Sequence, residues 1–242
     1  MDRRLSSWAS GVFVCGRCSS TSCVLEGCCL ALWPRLWRGA SLFSALFNDA
    51  GGRYLNRAPL FSVCVEVLEK PLPKPSDEKY VEARLLEALA EARLALEFLE
   101  RGLTRNAAGK AFQAWKALLA ALLRLELDKL KSLAKTEEER RWLESTAVPR
   151  VPTSRMIPLS LMLEKVGHGG ISLWTDRALL LHEYQYHGPD PDAALSKFRT
   201  REEAAEYAAR LAAEVARRIE ALKNRVWSRE LEEALRGLAS AQ

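Results

Sequence analysis

The sequence predicts an all-α protein, an antiparallel bundle of helices preceded by an N-terminal extension that we expect to be disordered. Three observations predict this fold. Apolar residues recur at alternating spacings of three and four over long stretches after residue 75, which is the period of a helix buried on one face. The same stretches are dense in Glu, Arg, Ala and Leu, a composition typical of exposed helices with paired charges. No stretch of useful length alternates apolar and polar residues as a half-buried strand does.

Two long helices are predicted to open the domain. A proline-rich lead-in, 71–75, precedes Ser76, which we predict to be the N-cap of a first helix of about 26 residues that ends at Gly102. A second helix is predicted from about Arg105 to Ala134, and its wide apolar arc around Phe112 indicates burial on two sides. The apolar stripe of the first helix consists of Val81, Leu85, Leu89, Ala92, Leu96, Leu99 and Leu103.

Shorter elements follow in the second half of the domain. Thr136, ahead of three glutamates, is predicted to cap a short helix that ends at about Glu144. The prolines between 149 and 158 predict an extended link. Thr200 and Glu203 form a capping box at the start of a later helix. The remaining predicted helices have the approximate bounds 159–166, 172–186, 200–222 and 228–238.

Residues 1–64 differ in composition from the rest of the chain. They contain seven arginines, three acidic residues, no lysine and all six cysteines. Residues 65–242 contain 29 basic and 28 acidic residues and no cysteine. A domain so close to neutral argues against a broad surface that follows a phosphate backbone. We therefore divide the chain into an extension, 1–64, and a helical domain, 65–242.

The extension has two interpretations. Cys15 and Cys18 form a Cys-x-x-Cys pair, and later thiolates could complete a zinc tetrahedron. Cys28 and Cys29 are adjacent, however, so they cannot form the second such pair, and the stretch has no hydrophobic period. We favour the other interpretation: the extension is unstructured, or it reflects the choice of start site, with the native start near Val63–Val67. We accordingly predict no bound metal and no cofactor.

The sequence predicts a cytoplasmic protein that does not cross a membrane. The apolar run Cys28–Phe47 is interrupted by Pro34, Arg35 and Arg38, and arginine is costly in a bilayer core. A helical domain free of cysteine fits an intracellular protein that does not depend on disulfides. Only four Asn and three Gln accompany abundant Glu and Arg, a composition that indicates a thermophilic source.

The segment Arg177–Tyr184, which reads RALLLHEY, carries the candidate functional residues. An arginine is always charged at neutral pH, whereas a histidine titrates near neutrality. Arg177 and His182 could therefore stabilise charge and accept a proton at a phosphodiester without a metal ion. An Arg at this distance before a His is expected about once by accident in such a chain. Tyr184, two residues after the histidine, makes the pattern Arg-x4-His-x-Tyr moderately specific.

The helical order and this pattern resemble the HEPN superfamily and, within it, the archaeal PaREP family. The resemblance covers about residues 66–240 and is carried by the segments Phe112–Ala117 (FQAWKA), RALLLHEY and Ser196–Arg199 (SKFR). It implies a HEPN-like helical bundle, often a homodimer, with a metal-independent endoribonuclease site of the toxin type.

The resemblance also implies a role for each residue of the pattern. Arg177 would hold the non-bridging phosphate oxygens and stabilise the transition state. His182 would act as general base toward the ribose 2′-hydroxyl, or as acid toward the leaving 5′-oxygen. Tyr184 matches a tyrosine that, in some toxin relatives, is modified by a partner nucleotidyltransferase acting as antitoxin. RNA, a second copy of the chain and such an antitoxin are therefore the expected partners.

A non-catalytic dimeric module, binding a partner protein or a nucleotide, is the alternative. Active relatives usually have a polar residue directly after the arginine, where this chain has Ala178. On an ideal helix Arg177 and His182 point about 140° apart, so they would share a phosphate only through a distorted turn, long reach or a dimer mate. In a purely structural role, Arg177 would pair with Asp176 or Glu183.

Two further sets of residues are candidates for a functional role. His187 is a weak second candidate for the catalytic histidine, and His168, in a glycine-flanked loop, is expected to be solvated. Nucleic-acid binding through a late basic cluster is a third function, although cations near a helix C-terminus also fit ordinary dipole compensation. This late basic cluster consists of Arg217, Arg218, Lys223 and Arg225.

Overall fold

The computed structural model describes residues 66–239, and this part of the chain contains helices and no strand. The all-α prediction is therefore confirmed for these residues, whereas the predictions for residues 1–64 lie outside them. After a short helical segment at 66–69, the α-helices are α1 (Lys79–Glu100), α2 (Thr104–Leu125), α3 (Leu127–Leu133), α4 (Glu137–Trp142), α5 (Val148–Arg150), α6 (Met156–Lys165), α7 (Ile171–His187), α8 (Arg201–Glu220) and α9 (Arg229–Ala239).

A tight turn at Gly102 folds α1 back against α2. Gly102 has a φ of +70°, a left-handed conformation that glycine adopts without strain, and Leu103 N–H donates to Phe98 O over 2.8 Å. The predicted N-cap at Ser76 is wrong, because α1 begins at Lys79. Asp77 lies next to this start, and its Oδ1 accepts a hydrogen bond of 2.9 Å from Lys79 N–H.

The single helix predicted from Arg105 to Ala134 is interrupted at Glu126. This residue has φ −104° and ψ 11°, which separates α2 from α3. The Glu126 side chain points into the bundle and the residue is 2% exposed. Its carboxylate meets Lys129, three residues on, and also His168 and Arg225 from distant parts of the chain. The break therefore coincides with a buried ion cluster, which periodicity does not reveal.

The extended link predicted between 149 and 158 is also wrong. The chain forms α5 and then a turn of 3-10 helix, Thr153–Arg155, around a left-handed Val151 with φ +42°. Pro158 lies in the first turn of α6, where its missing N–H would have had no intrahelical partner. The predicted cap at Thr136 is confirmed, since its side chain accepts from Glu139 N–H over 3.1 Å.

Helix α2 lies at the centre of the bundle, in contact with α1, α7 and α8. Its burial on two sides, predicted from the wide apolar arc, is confirmed: Trp115 is fully buried and Phe112 is 1% exposed. Trp115 Nε1–H donates to Thr175 Oγ1 over 3.0 Å, which fixes the register of α2 against α7. Within residues 66–239, no helix is both long and apolar enough to cross a bilayer.

The end of α7 and the start of α8 agree with the sequence prediction. Helix α7 ends at His187, and its C-cap Gly188 has a φ of +73°. The capping box of Thr200 and Glu203 at the start of α8 is confirmed, with hydrogen bonds in both directions. Helices α7 and α8 therefore flank α2, and their side chains decide what the RALLLHEY segment can do.

Candidate functional site

Arg177 faces α8 and is held by aromatic rings. Its guanidinium carbon lies 4.4 Å from the centroid of the Trp174 ring and 5.8 Å from that of Tyr207. Among the described residues it forms no ion pair, so the structural pairing with Asp176 or Glu183 is not made. A guanidinium stacked on rings keeps its N–H donors in the plane of the group, where they can meet an acceptor.

Tyr184 is on the same side of α7 but is completely buried. Its ring packs edge-on against Phe198, with centroids 5.6 Å apart, and Phe198 in turn packs against Tyr207. The Tyr184 hydroxyl is buried and makes no hydrogen bond with the described residues. Burial raises the pKa of this phenol, and the hydroxyl cannot be reached by another protein without opening the packing between α7 and the segment that precedes α8.

His182 faces α2. Its ring stacks on Phe112 with centroids 4.2 Å apart and an interplanar angle of 23°, and Tyr186 meets it edge-on at 5.2 Å. Burial, and next the positive charge of Lys116, lower the His182 pKa below its usual 6.5, and the side chains of Gln185 and Glu183 oppose this only in part. The imidazole is therefore neutral at pH 7, which is the form that accepts a proton.

The structure does not bring Arg177 and His182 together within one chain. Helix α7 runs without interruption from Ile171 to His187, so the two residues keep the wide angular separation of a regular helix. Their ring partners lie in different places: Tyr207 on α8 for Arg177 and Phe112 on α2 for His182. His187, the second candidate, is exposed at the end of α7.

A polar cleft lies beside His182, between α1 and α7 with α2 as its floor. We call it the α2 groove. It encloses about 620 Å³, within the range of ligand sites. It is lined by Phe98, Arg105, Asn106, Gly109, Lys110, Gln113 and Gln185.

The basic residues of the α2 groove are partly engaged. Arg105 donates to the backbone oxygens of Gln185 (3.0 Å) and Tyr186 (2.5 Å), and so caps the carbonyl end of α7. Lys110 forms an ion pair of 2.9 Å with Glu91 on α1. Because Gly109 has no side chain, Gln185 can lie directly on α2: a Cβ at Gly109 would stand 2.9 Å from the Gln185 amide carbon.

Lys116 lies on α2 one turn beyond the groove, near His182. It is half-buried, and burial and the positive charge of Arg84 lower its pKa. Arg84 itself is engaged by Glu87 at 2.8 Å, whereas Lys116 forms no ion pair with a described residue. A cation without a salt bridge beside a neutral imidazole is an arrangement that an anion would stabilise.

The sequence alone predicts neither the α2 groove nor a role for Lys116. The signal was nevertheless present in α2, where polar residues recur at spacings of four, three and three on a helix that is otherwise mostly apolar. These residues are Asn106, Lys110, Gln113 and Lys116.

The late basic cluster is engaged by acidic side chains. Arg217 and Arg218 both bind Glu214 over 2.6 Å, and Lys223 binds Glu232 over 3.1 Å. Arg225, the remaining member of the cluster, binds the buried Glu126. Each cation therefore has an acidic partner, which weakens the third function.

His168 is not solvated, contrary to the prediction. Its side chain is 14% exposed, and its Nε2 lies 3.2 Å from Glu126 Oε1. Burial would raise the Glu126 pKa, but hydrogen bonds from Arg225, Lys129 and His168 outweigh it and lower that pKa to about 2. The cluster is thus structural. Within residues 66–239, no group of three or more His, Cys, Asp or Glu side chains is placed to hold a metal ion.

A model of the archaeal PaREP1/PaREP8 family matches residues 83–209, more than half of the 242 residues. The chain belongs to the archaeal PaREP1/PaREP8 family. The PaREP1/PaREP8 segment includes α2 and α7 entirely, and with them the α2 groove, Lys116 and the RALLLHEY run. It ends within α8, before the late basic cluster begins. No curated protein and no solved structure matches the chain.

Proposed function

We propose that this PaREP1/PaREP8 protein is a HEPN-like, metal-independent endoribonuclease that acts as a homodimer, with His182 as its general base. The observation that supports this most directly is a neutral, half-buried imidazole beside Lys116, a cation with no salt bridge. A neutral histidine can accept the proton of a ribose 2′-hydroxyl, and a neighbouring cation favours the negative charge of the attacked phosphate.

The reaction needs only the side chains of two copies of the chain and solvent water. His182 accepts the 2′-hydroxyl proton while a bond forms between the 2′-oxygen and phosphorus. The bond between phosphorus and the 5′-oxygen breaks, that oxygen takes a proton from solvent water, and the His182 imidazolium returns its proton to the solvent. The products are a 2′,3′-cyclic phosphate and a 5′-hydroxyl. Cleavage is therefore expected to persist in EDTA.

Arg177 enters this proposal through the second copy. Its guanidinium is turned toward Trp174 and Tyr207, away from the α2 side where His182 lies, so one chain does not direct both groups at one phosphate. A two-fold dimer places the same surface of both copies in contact, and Arg177 of one copy can then complete the His182 site of the other.

Modification of Tyr184 by a nucleotidyltransferase antitoxin is not part of the proposal. The buried hydroxyl argues against a modification of the folded chain at that atom.

The second candidate function is the non-catalytic dimeric module. The stacking of Arg177 on Trp174 favours it, because a guanidinium held by rings is also a common packing contact. In this case the chain would bind its ligand or partner without changing it.

Cleavage of mixed RNA in EDTA by the full chain separates the two functions. We expect cleavage by the wild type and loss of cleavage in His182→Ala and Arg177→Ala. The matched controls are His187→Ala, at the exposed end of α7, and Arg210→Ala, an exposed arginine of α8, and both should cleave as the wild type does. Absence of cleavage in the wild type, or equal cleavage by all five proteins, would leave the non-catalytic module.

Mixing the two inactive variants tests the dimer. If each site takes Arg177 from one copy and His182 from the other, random exchange restores about a quarter of the wild-type activity, because half of the dimers are mixed and one of their two sites is intact. If both residues act within one chain, the mixture stays inactive.

A further inference from the structure

The floor of the α2 groove is a row of hydrogen-bonding side chains on one helix face. The row continues past the groove to Lys116, three residues beyond Gln113, and from Asn106 to Lys116 it rises about 15 Å along the helix axis. Asn106 and Gln113 are exposed, Lys110 is half-buried, and Gln185 stands on the α7 wall. The row is long enough for more than one nucleotide, and its Lys116 end reaches His182.

The chemistry of the groove changes along its length. Phe98 lines one end and offers an apolar ring on which a base can stack. The amides of Asn106, Gln113 and Gln185 can both donate and accept, as the edges of unpaired bases require. Beyond the other end, past Gln113, lies Lys116, whose ammonium forms no salt bridge with a described residue.

The carboxylates of α1 near Lys116 already have basic partners, so they compete little with a phosphate for Lys116. The nearby carboxylates of α1 are occupied, Glu87 by Arg84 at 2.8 Å and Glu91 by Lys110 at 2.9 Å. A phosphate at Lys116 would give this half-buried ammonium, which has no salt bridge with a described residue, a charge-assisted hydrogen bond, which is among the stronger protein contacts.

We propose that the α2 groove binds single-stranded RNA, with Lys116 contacting the phosphate that lies beside His182. The identity of the ligand rests on the proposed function, but binding does not require cleavage. The near-neutral domain fits a short strand with few phosphate contacts, so affinity is expected to be measurable mainly at low salt.

The experiment measures binding without cleavage. A short fluorescein-labelled oligouridylate with 2′-O-methyl groups lacks the nucleophile, and its fluorescence anisotropy is followed with the full chain at several salt concentrations. We expect Lys116→Ala to weaken binding about 10- to 100-fold and to reduce the slope of log affinity against log salt by about 0.7. Lys165→Ala, an exposed lysine of α6, is the control and should bind as the wild type does.

A second variant guards against a folding defect in Lys116→Ala. Gln113 is exposed, so Gln113→Glu leaves the core intact while it places a negative charge in the groove, and we expect weaker binding. Wild-type affinity in both variants, or no binding by the wild type, overturns the proposal. Loss of affinity in Arg177→Ala alone also overturns it, since the strand would then lie on the α8 side.

The failure of this proposal can be told from that of the ribonuclease. Binding that depends on Lys116 without cleavage of unmodified RNA supports the groove and refutes the enzyme. Cleavage that depends on His182 but is unchanged in Lys116→Ala supports the enzyme and refutes the groove.

Discussion

Replacing Glu126 with glutamine removes the one anion of a buried cluster while it keeps the size of the side chain. Glu126 receives Arg225, Lys129 and His168, which come from the segment after α8, from α3 and from the loop before α7. The neutral amide would keep part of the hydrogen bonding, but it would leave the basic side chains without their counter-charge.

The expected loss follows from the Glu126 pKa. A fall from 4.5 to about 2 corresponds to about 3 kcal/mol of free energy of unfolding at neutral pH. Breaking a fully buried ion pair costs about 3–5 kcal/mol. The side chains of Lys129 and Arg225 are 61% and 42% exposed and can be hydrated in the variant, so we expect a loss of about 2–3 kcal/mol. At about 2–4 °C per kcal/mol, the Tm should fall by about 5–10 °C.

Urea unfolding of Glu126→Gln, beside Glu206→Gln, tests this value. The ion pair of Glu206 with Arg210 is exposed on both sides, so its loss should cost no more than about 1 kcal/mol. The sign of the pH effect is defined: because the folded pKa is lowered, the contribution of Glu126 is complete above pH 4.5 and is lost as the pH falls toward 2. Equal stability of the two variants, or an unchanged acid limb in Glu126→Gln, would refute the reasoning.

Two other substitutions and the pH dependence of cleavage have defined outcomes. Tyr184→Phe removes a buried hydroxyl that has no hydrogen bond, so thermal unfolding should show a stability equal to that of the wild type or up to about 1 kcal/mol higher. A clear loss of stability would mean that the hydroxyl has a hydrogen-bond partner. Gly109→Ala gains about 1 kcal/mol of helix propensity but pushes the Gln185 side chain aside, so the free energy of unfolding should change little. Because the Gln185 side chain raises the His182 pKa, that pKa, followed by NMR, should fall further in the variant. An unchanged pKa would contradict the contact between Gly109 and Gln185. The His182 pKa itself should lie below 6.5, so any cleavage should rise with pH through a value below 6.5, and a midpoint above that value would contradict the buried environment.

The sequence predicts the fold well where helices are bounded by local signals. Gly102 ends the first helix as predicted, and the Thr136 and Thr200 caps are found where the side-chain pattern places them. The errors occur where a distant contact decides. Nothing near Glu126 in the sequence reveals that Arg225 would reach it, since they are 99 residues apart.

The site is predicted only in part, for a related reason. The Arg-x4-His-x-Tyr pattern gives three residues on one helix, but it does not show which neighbour each one meets. Tyr184 is buried by Phe198, and His182 is placed by Phe112, contacts that need the packed bundle. Lys116 is not predicted from the sequence because a single lysine on a helix is ordinary, and its half-buried position without a salt bridge to a described residue is visible only in the packed bundle.

The stack of His182 on Phe112 makes the histidine a spectroscopic reporter. A ring 4.2 Å above another and nearly parallel to it shields the protons of its neighbour, so the imidazole signals of His182 should be shifted upfield. The chain has only three histidines, and one substitution assigns the signal. Any ligand, variant or dimer contact that moves α7 relative to α2 would then be visible in an unlabelled protein, with no probe attached.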